Sequence, residues 1–98
     1  MTLPNVFFIT GTSTGFGREL VLELNTQGHK VIATARNLDK IRDFEQLENV
    51  DILKLDISSS QEEIANVVNN AISIHGHVTH LINNAAYSVA GCKFLSYT

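Results

Sequence analysis

Two hydrophobic rhythms alternate along this chain: short apolar runs, and longer stretches in which apolar residues fall at helical spacing. Asn5 to Thr10 carries the unbroken run Val6-Phe7-Phe8-Ile9, the signature of a strand buried on both faces. From Arg18 to Gly28 the rhythm changes. Leu20, Val21 and Leu24 share one helical stripe, and Gly28 is placed to cap the helix end. Lys30 to Ala35 is a second apolar run and a second strand. Asn37 then caps a second helix, expected from Ile41, Phe44 and Leu47, which recur at spacing three on one face. Asp51 to Leu55 is the third strand. Ser60 and Glu63 stand at the spacing of a capping box, and Ile64, Val67, Val68, Ala71 and Ile72 follow as the apolar stripe of a third helix. Gly76 interrupts, and Val78 to Asn83 gives a fourth strand.

Between the first strand and the first helix lies Thr10-Gly11-Thr12-Ser13-Thr14-Gly15-Phe16-Gly17. Strand, glycine-rich turn and helix together seat a phosphate on the free amides of a helix N-terminus. Gly11 suits the tight turn off the strand. Gly15 leaves room for a pyrophosphate, and Gly17 lets helix and strand pack closely. The spacing is G-x-x-x-G-x-G, a variant of the more usual G-x-G-x-x-G. Strands alternating with helices imply an α/β class, with a parallel sheet and right-handed crossovers. The expected architecture is a truncated, doubly wound Rossmann-type sheet of four strands in the order 3-2-1-4 with three helices. It forms a single partial dinucleotide-binding domain over residues 1–98. The first two helices should cover one face and the third the other. The ligand crevice should open between strands 1 and 4, where the winding reverses.

Composition narrows the options. Ninety-eight residues make one small domain, and 44% hydrophobic with 17% charged residues is ordinary globular usage. Net charge is −3 and the basic residues are scattered, so no footprint for nucleic acid is visible. Cys92 is the only cysteine, so no internal disulfide forms. The N-terminus lacks the basic and long apolar regions of a signal peptide, and no apolar run approaches membrane-spanning length. A cytoplasmic address without membrane partners is the default expectation.

The glycine turn with Thr10 before it resembles the short-chain dehydrogenase/reductase family. Ala33-Thr34-Ala35-Arg36-Asn37, Leu55-Asp56-Ile57 and Leu81-Ile82-Asn83-Asn84-Ala85-Ala86 add three more motifs in family order. The resemblance runs from Asn5 to about Val89 and covers only the N-terminal part of the family fold. It implies an NAD(P) cofactor and, in a full-length parent, hydride transfer between that cofactor and a small alcohol or carbonyl. NAD sites commonly place a carboxylate about 20 residues past the glycines, on the ribose 2′-hydroxyl. Here Ala35 stands at that position and Arg36 follows. A guanidinium without a neighbouring carboxylate suits a 2′-phosphate, so NADP is favoured over NAD. A solvated surface arginine is the plain alternative. Thr12 and Ser13 would add hydroxyl donors in the turn. In the family, a residue like Asp56 accepts from the adenine amino group; as an aspartate at a strand end it equally suits a turn. Asn83-Asn84-Ala85-Ala86 is similar to the family's Asn-Asn-Ala-Gly, which steadies the sheet centre and lines the adenosine side. The expected cofactor set is therefore Gly11, Thr12, Ser13, Thr14, Gly15, Phe16, Gly17, Arg36, Asp56, Asn83 and Ala85.

No metal site is expected from His75, His77 and His80. They sit at a turn and a strand start, and no helical pair or cysteine supports them. No catalytic residue is assigned either. The family's acid/base tyrosine is followed four residues later by a lysine, but Tyr87 is followed at that distance by Gly91, and only Thr98 follows Tyr97. The resemblance therefore implies the cofactor half of an oxidoreductase, inactive by itself. The alternative is a non-catalytic NADP-binding or interaction fragment. A methyltransferase would call for a different glycine spacing and an acidic end to the second strand. A P-loop NTPase is excluded because no Gly-Lys-Ser/Thr closes the turn. Strand 4 would be an exposed edge, through which the chain could self-associate.

Overall fold

The computed structural model describes residues 5–84. The run Val6–Ile9 is β1, and its side chains are shared between two cores. Val6 and Phe8 join Ile32, Leu55, Ile57, Ile64 and Ala71 on one face, whereas Ile9 joins Val31, Ala33, Ala35, Val21, Leu24, Ile41 and Phe44 on the other. Successive strand residues point to opposite faces, so an unbroken apolar run is what a doubly covered strand needs.

Helix α1 spans Gly15–Thr26, β2 Lys30–Ala35, a 3-10 segment Leu38–Gln46, β3 Val50–Lys54, α2 Gln61–His75 and β4 His80–Ile82. The strands form one parallel sheet in the order β3-β2-β1-β4. Ile9 lies between Ala33 of β2 and Ile82 of β4, which aligns the strand ends that carry the site. As expected, α1 and the 3-10 segment pack on one face and α2 on the other.

Local signals explain most boundaries. Gln27 caps α1; the Gly28 N–H then donates to Asn25 O at 3.0 Å and His29 N–H to Leu24 O at 3.1 Å, the two bonds of a Schellman ending. The Ser60 hydroxyl accepts from Glu63 N–H at 3.2 Å and opens α2.

Several elements differ from the sequence expectation: β1 is Val6–Ile9 rather than Asn5 to Thr10, and β3 is Val50–Lys54 rather than Asp51 to Leu55. Helix α1 begins at Gly15 rather than Arg18, so Gly15 and Gly17 lie in its first turn. Glycine's low helix propensity hides that start. The second helix is a 3-10 segment, divided at Ile41 by non-helical φ and ψ of −125° and 15°. A 3-10 turn holds three residues, so Ile41, Phe44 and Leu47 at spacing three fit it directly. Strand β4 is shorter than expected, and His77 precedes it.

Candidate functional site

The glycine turn leaves β1 through a buried lattice of threonine hydroxyls. The Thr34 hydroxyl donates to Ile9 O at 3.1 Å, and the Thr12 hydroxyl donates to Thr34 O at 3.0 Å. The backbone N–H of Thr12 donates to the same carbonyl at 3.2 Å. Thr10, Thr12 and Thr34 are all buried. Buried polar groups are costly unless bonded, and these bonds satisfy them while tying the turn to β2. The Thr12 hydroxyl, expected as a donor in the turn, is thus turned inward.

The end of β4 locks the turn from the other side. The Thr10 hydroxyl donates to Asn83 Oδ1 at 3.1 Å, and Asn84 Nδ2 donates to Gly11 O at 3.0 Å. Gly17 is pressed against this lock. A Cβ there would collide with the Gly11 carbonyl oxygen and lie 2.6 Å from Asn84 Nδ2. Gly15 differs: its φ is +61°, and within 4 Å a Cβ would meet no described atom beyond its chain neighbours and its own helix backbone. Thr14, Gly15 and Phe16 are exposed. The Thr14 side chain makes no capping bond, and the first turn of α1 holds no acidic residue. The positive end of the helix dipole is therefore left uncompensated, with open space in front of Gly15, which is the chemistry an anion needs.

A cleft of about 150 Å³ extends from the turn. Gly11 and Ser13, Ala35 and Arg36, and Leu55, Asp56 and Ile57 line it. Three segments far apart in sequence meet there, because β1, β2 and β3 end on the same side of the sheet. Arg36 is exposed and makes no hydrogen bond or ion pair with another described residue. Asp56 Oδ1 accepts from the Ser58 hydroxyl at 2.6 Å and from Ser58 N–H at 2.9 Å. Those bonds, the hydroxyl first, hold the Asp56 carboxyl below its ordinary value of 3.8, and the charges of Arg36 and Lys54 add to the effect. Asp56 thus forms the turn expected of a strand-end aspartate while facing the cleft. Ala85, the last member of the expected set, lies outside the described residues, as do Tyr87 and Tyr97.

The three histidines have separate engagements. His75 Nε2 lies 3.0 Å from Asp51 Oδ2, His77 Nδ1 lies 3.2 Å from His75 O, and His80 stacks on Phe7 with ring centroids 4.4 Å apart. Thr10, Thr34 and Asn84 stand in the sequence motifs but outside the expected cofactor set. Threonine at the end of a buried strand is the signal that pointed to the lattice, because its hydroxyl must find a partner there.

Residues 5–97 match the sequence model of the short chain dehydrogenase family. The chain belongs to this family. A 3-ketodihydrosphingosine reductase from Bacteroides thetaiotaomicron is 34% identical over 93 residues, which cover 95% of this chain and 32% of the relative. A solved short-chain dehydrogenase from Streptomyces avermitilis superposes with a TM-score of 0.77 at 30% identity, over 85% of this chain and 31% of its own. A structure of ElxO with NADPH bound gives a TM-score of 0.76 at 26% identity, over 89% of this chain and 37% of its own. The chain spans about a third of the length of the relatives it matches. Short-chain dehydrogenases use NAD(P) cofactors, and the turn, the open helix end and the cleft are compatible with such a ligand. No helix among the described residues is long and apolar enough to cross a membrane.

Proposed function

We propose that this chain is a partial dinucleotide-binding domain over residues 1–98, the NADP-binding part of a short-chain oxidoreductase. One observation carries the reading: the cleft that joins the glycine turn to Arg36 without a carboxylate at Ala35. In this reading the α1 N-terminus and Gly15 receive the pyrophosphate. Arg36 and Ser13 meet the 2′-phosphate, and the free oxygen of Asp56 accepts from the adenine amino group. Asn83 and Asn84 act indirectly, by fixing the turn. When bound, NADPH supplies a hydride; in a full-length parent the acceptor is a small carbonyl, and the reverse reaction consumes an alcohol. The sequence contains no Tyr-x-x-x-Lys, so the chain alone is expected to bind without turnover.

Titration calorimetry with NADP and NAD tests the selectivity. Replacing Ala35→Asp together with Arg36→Ala should cost about 1.5–3 kcal/mol of NADP affinity, the worth of a charge-assisted contact, and shift preference toward NAD. An unchanged preference would remove Arg36 from the site.

A further inference from the structure

Arg18 stands one residue past the glycine turn, yet its side chain leaves the turn altogether. Its Nη2 pairs with Asp43 Oδ2 in the 3-10 segment, and its Cζ lies 4.7 Å from the centroid of the Phe44 ring. Phe44 is completely buried, so the guanidinium rests on a fixed platform. The other arginine of this region, Arg42, pairs among the described residues with Asp39 and Glu45 of its own segment. Arg18 is therefore the charged link between the start of α1 and the segment that follows Arg36.

We propose that Arg18 is a positioning residue for cofactor selectivity, acting through Asp43 and Phe44 on Arg36. The proposal rests on the NADP reading given above. Arg36 lies between β2, held by the sheet, and the 3-10 segment, whose docking sets where the chain goes next. Ile41 at the break and Phe44 beyond it are both completely buried in the same core, so the two halves of the segment dock together. A ligand that touches both the turn and Arg36 needs a fixed span between them. Arg18 ties that span by fastening the segment to the helix that the turn opens. NAD lacks the 2′-phosphate and does not feel the span.

The test measures NADP and NAD affinity for the full chain and for Arg18→Met, Asp43→Ala, the double variant and Arg36→Ala, with circular dichroism to confirm folding. Arg18→Met, which keeps an apolar stem over Phe44, should lower the NADP:NAD affinity ratio about three- to fivefold, the scale of one exposed ion pair with a cation–π contact. NAD affinity should stay within about twofold. The double variant should be no worse than Arg18→Met, because both changes break one contact. Equal losses for the two cofactors, or an unchanged ratio, would overturn the positioning role. A ratio that collapses in Arg36→Ala but not in Arg18→Met sinks this proposal alone. A ratio that Arg36→Ala leaves intact sinks the NADP reading, and this proposal with it.

Discussion

Gly15 and Gly17 are needed for opposite reasons. Gly17 has no room: a side chain there would push the Gly11 carbonyl and Asn84 apart. Gly15 has room but a left-handed backbone, with φ +61°. Gly17→Ala should therefore destabilise the fold by about 1–3 kcal/mol, the usual cost of overpacking, seen as a lower denaturant midpoint. Gly15→Asn should fold almost normally, since asparagine tolerates that backbone region, but fill the space in front of the helix end and weaken dinucleotide binding. Parallel denaturation and calorimetry on both variants separate the roles. Equal dinucleotide binding by Gly15→Asn would take the turn out of the site. Asp56 gives a second residue-level test. Its lowered carboxyl pKa means that its stabilising bonds to Ser58 are fully present above the ordinary value and are lost as pH falls through the lower folded value. Ser58→Ala removes the largest cause, so the Asp56 carboxyl should titrate closer to 3.8 in a carbon-detected NMR titration. A titration unmoved by the change would show that the hydroxyl does not hold the carboxylate. The glycine pattern was legible because each glycine answers a backbone demand. The inward turn of Thr12 was not, because a threonine in a turn serves a ligand or the core equally well until its neighbour at Thr34 is known.

The elements were legible where several local signals agree. β2 spans Lys30–Ala35 as expected, bounded by the Gly28 ending and by exposed Arg36. α2 starts where Ser60 and Glu63 placed it, and Gly76 ends it. The 3-10 segment was legible as buried at Ile41 and Phe44 but not as 3-10, since spacing three satisfies both helix types over so short a stretch. The start of α1 was hidden inside its own ligand-type motif. Ser60 offers the cleanest element-level measurement. Its side chain satisfies one of the amides left open at the α2 N-terminus, so Ser60→Ala should cost about 1 kcal/mol. Thermal unfolding followed by circular dichroism reads this directly. A melting temperature equal to that of the parent chain would mean that water or a neighbouring group replaces the cap without loss.

At the scale of the whole molecule, the alternation of strands and helices implied a parallel sheet with right-handed crossovers, and the nucleotide-binding reading of the glycine turn supplied the order β3-β2-β1-β4 and the two faces. The same topology leaves β4 at an edge, paired among the described residues with β1 alone. Beside it lies a cavity of about 440 Å³ lined by Val68, Ile72, Val78, Leu81 and Ile82, among others. Ile72 of α2, on the wall of this cavity, is 39% exposed. A strand edge beside an apolar groove is the surface combination that draws chains together. The isolated chain should therefore associate as its concentration rises, and bind a hydrophobic dye when dilute. Sedimentation velocity over a concentration series measures the first, and dye fluorescence the second. Ile72→Lys places a charge on the groove wall at a half-exposed helix position, so it should reduce association while leaving the α-helical signal intact. A chain that stays monodisperse and monomeric at every concentration, with no dye signal, would show that this edge is closed in solution.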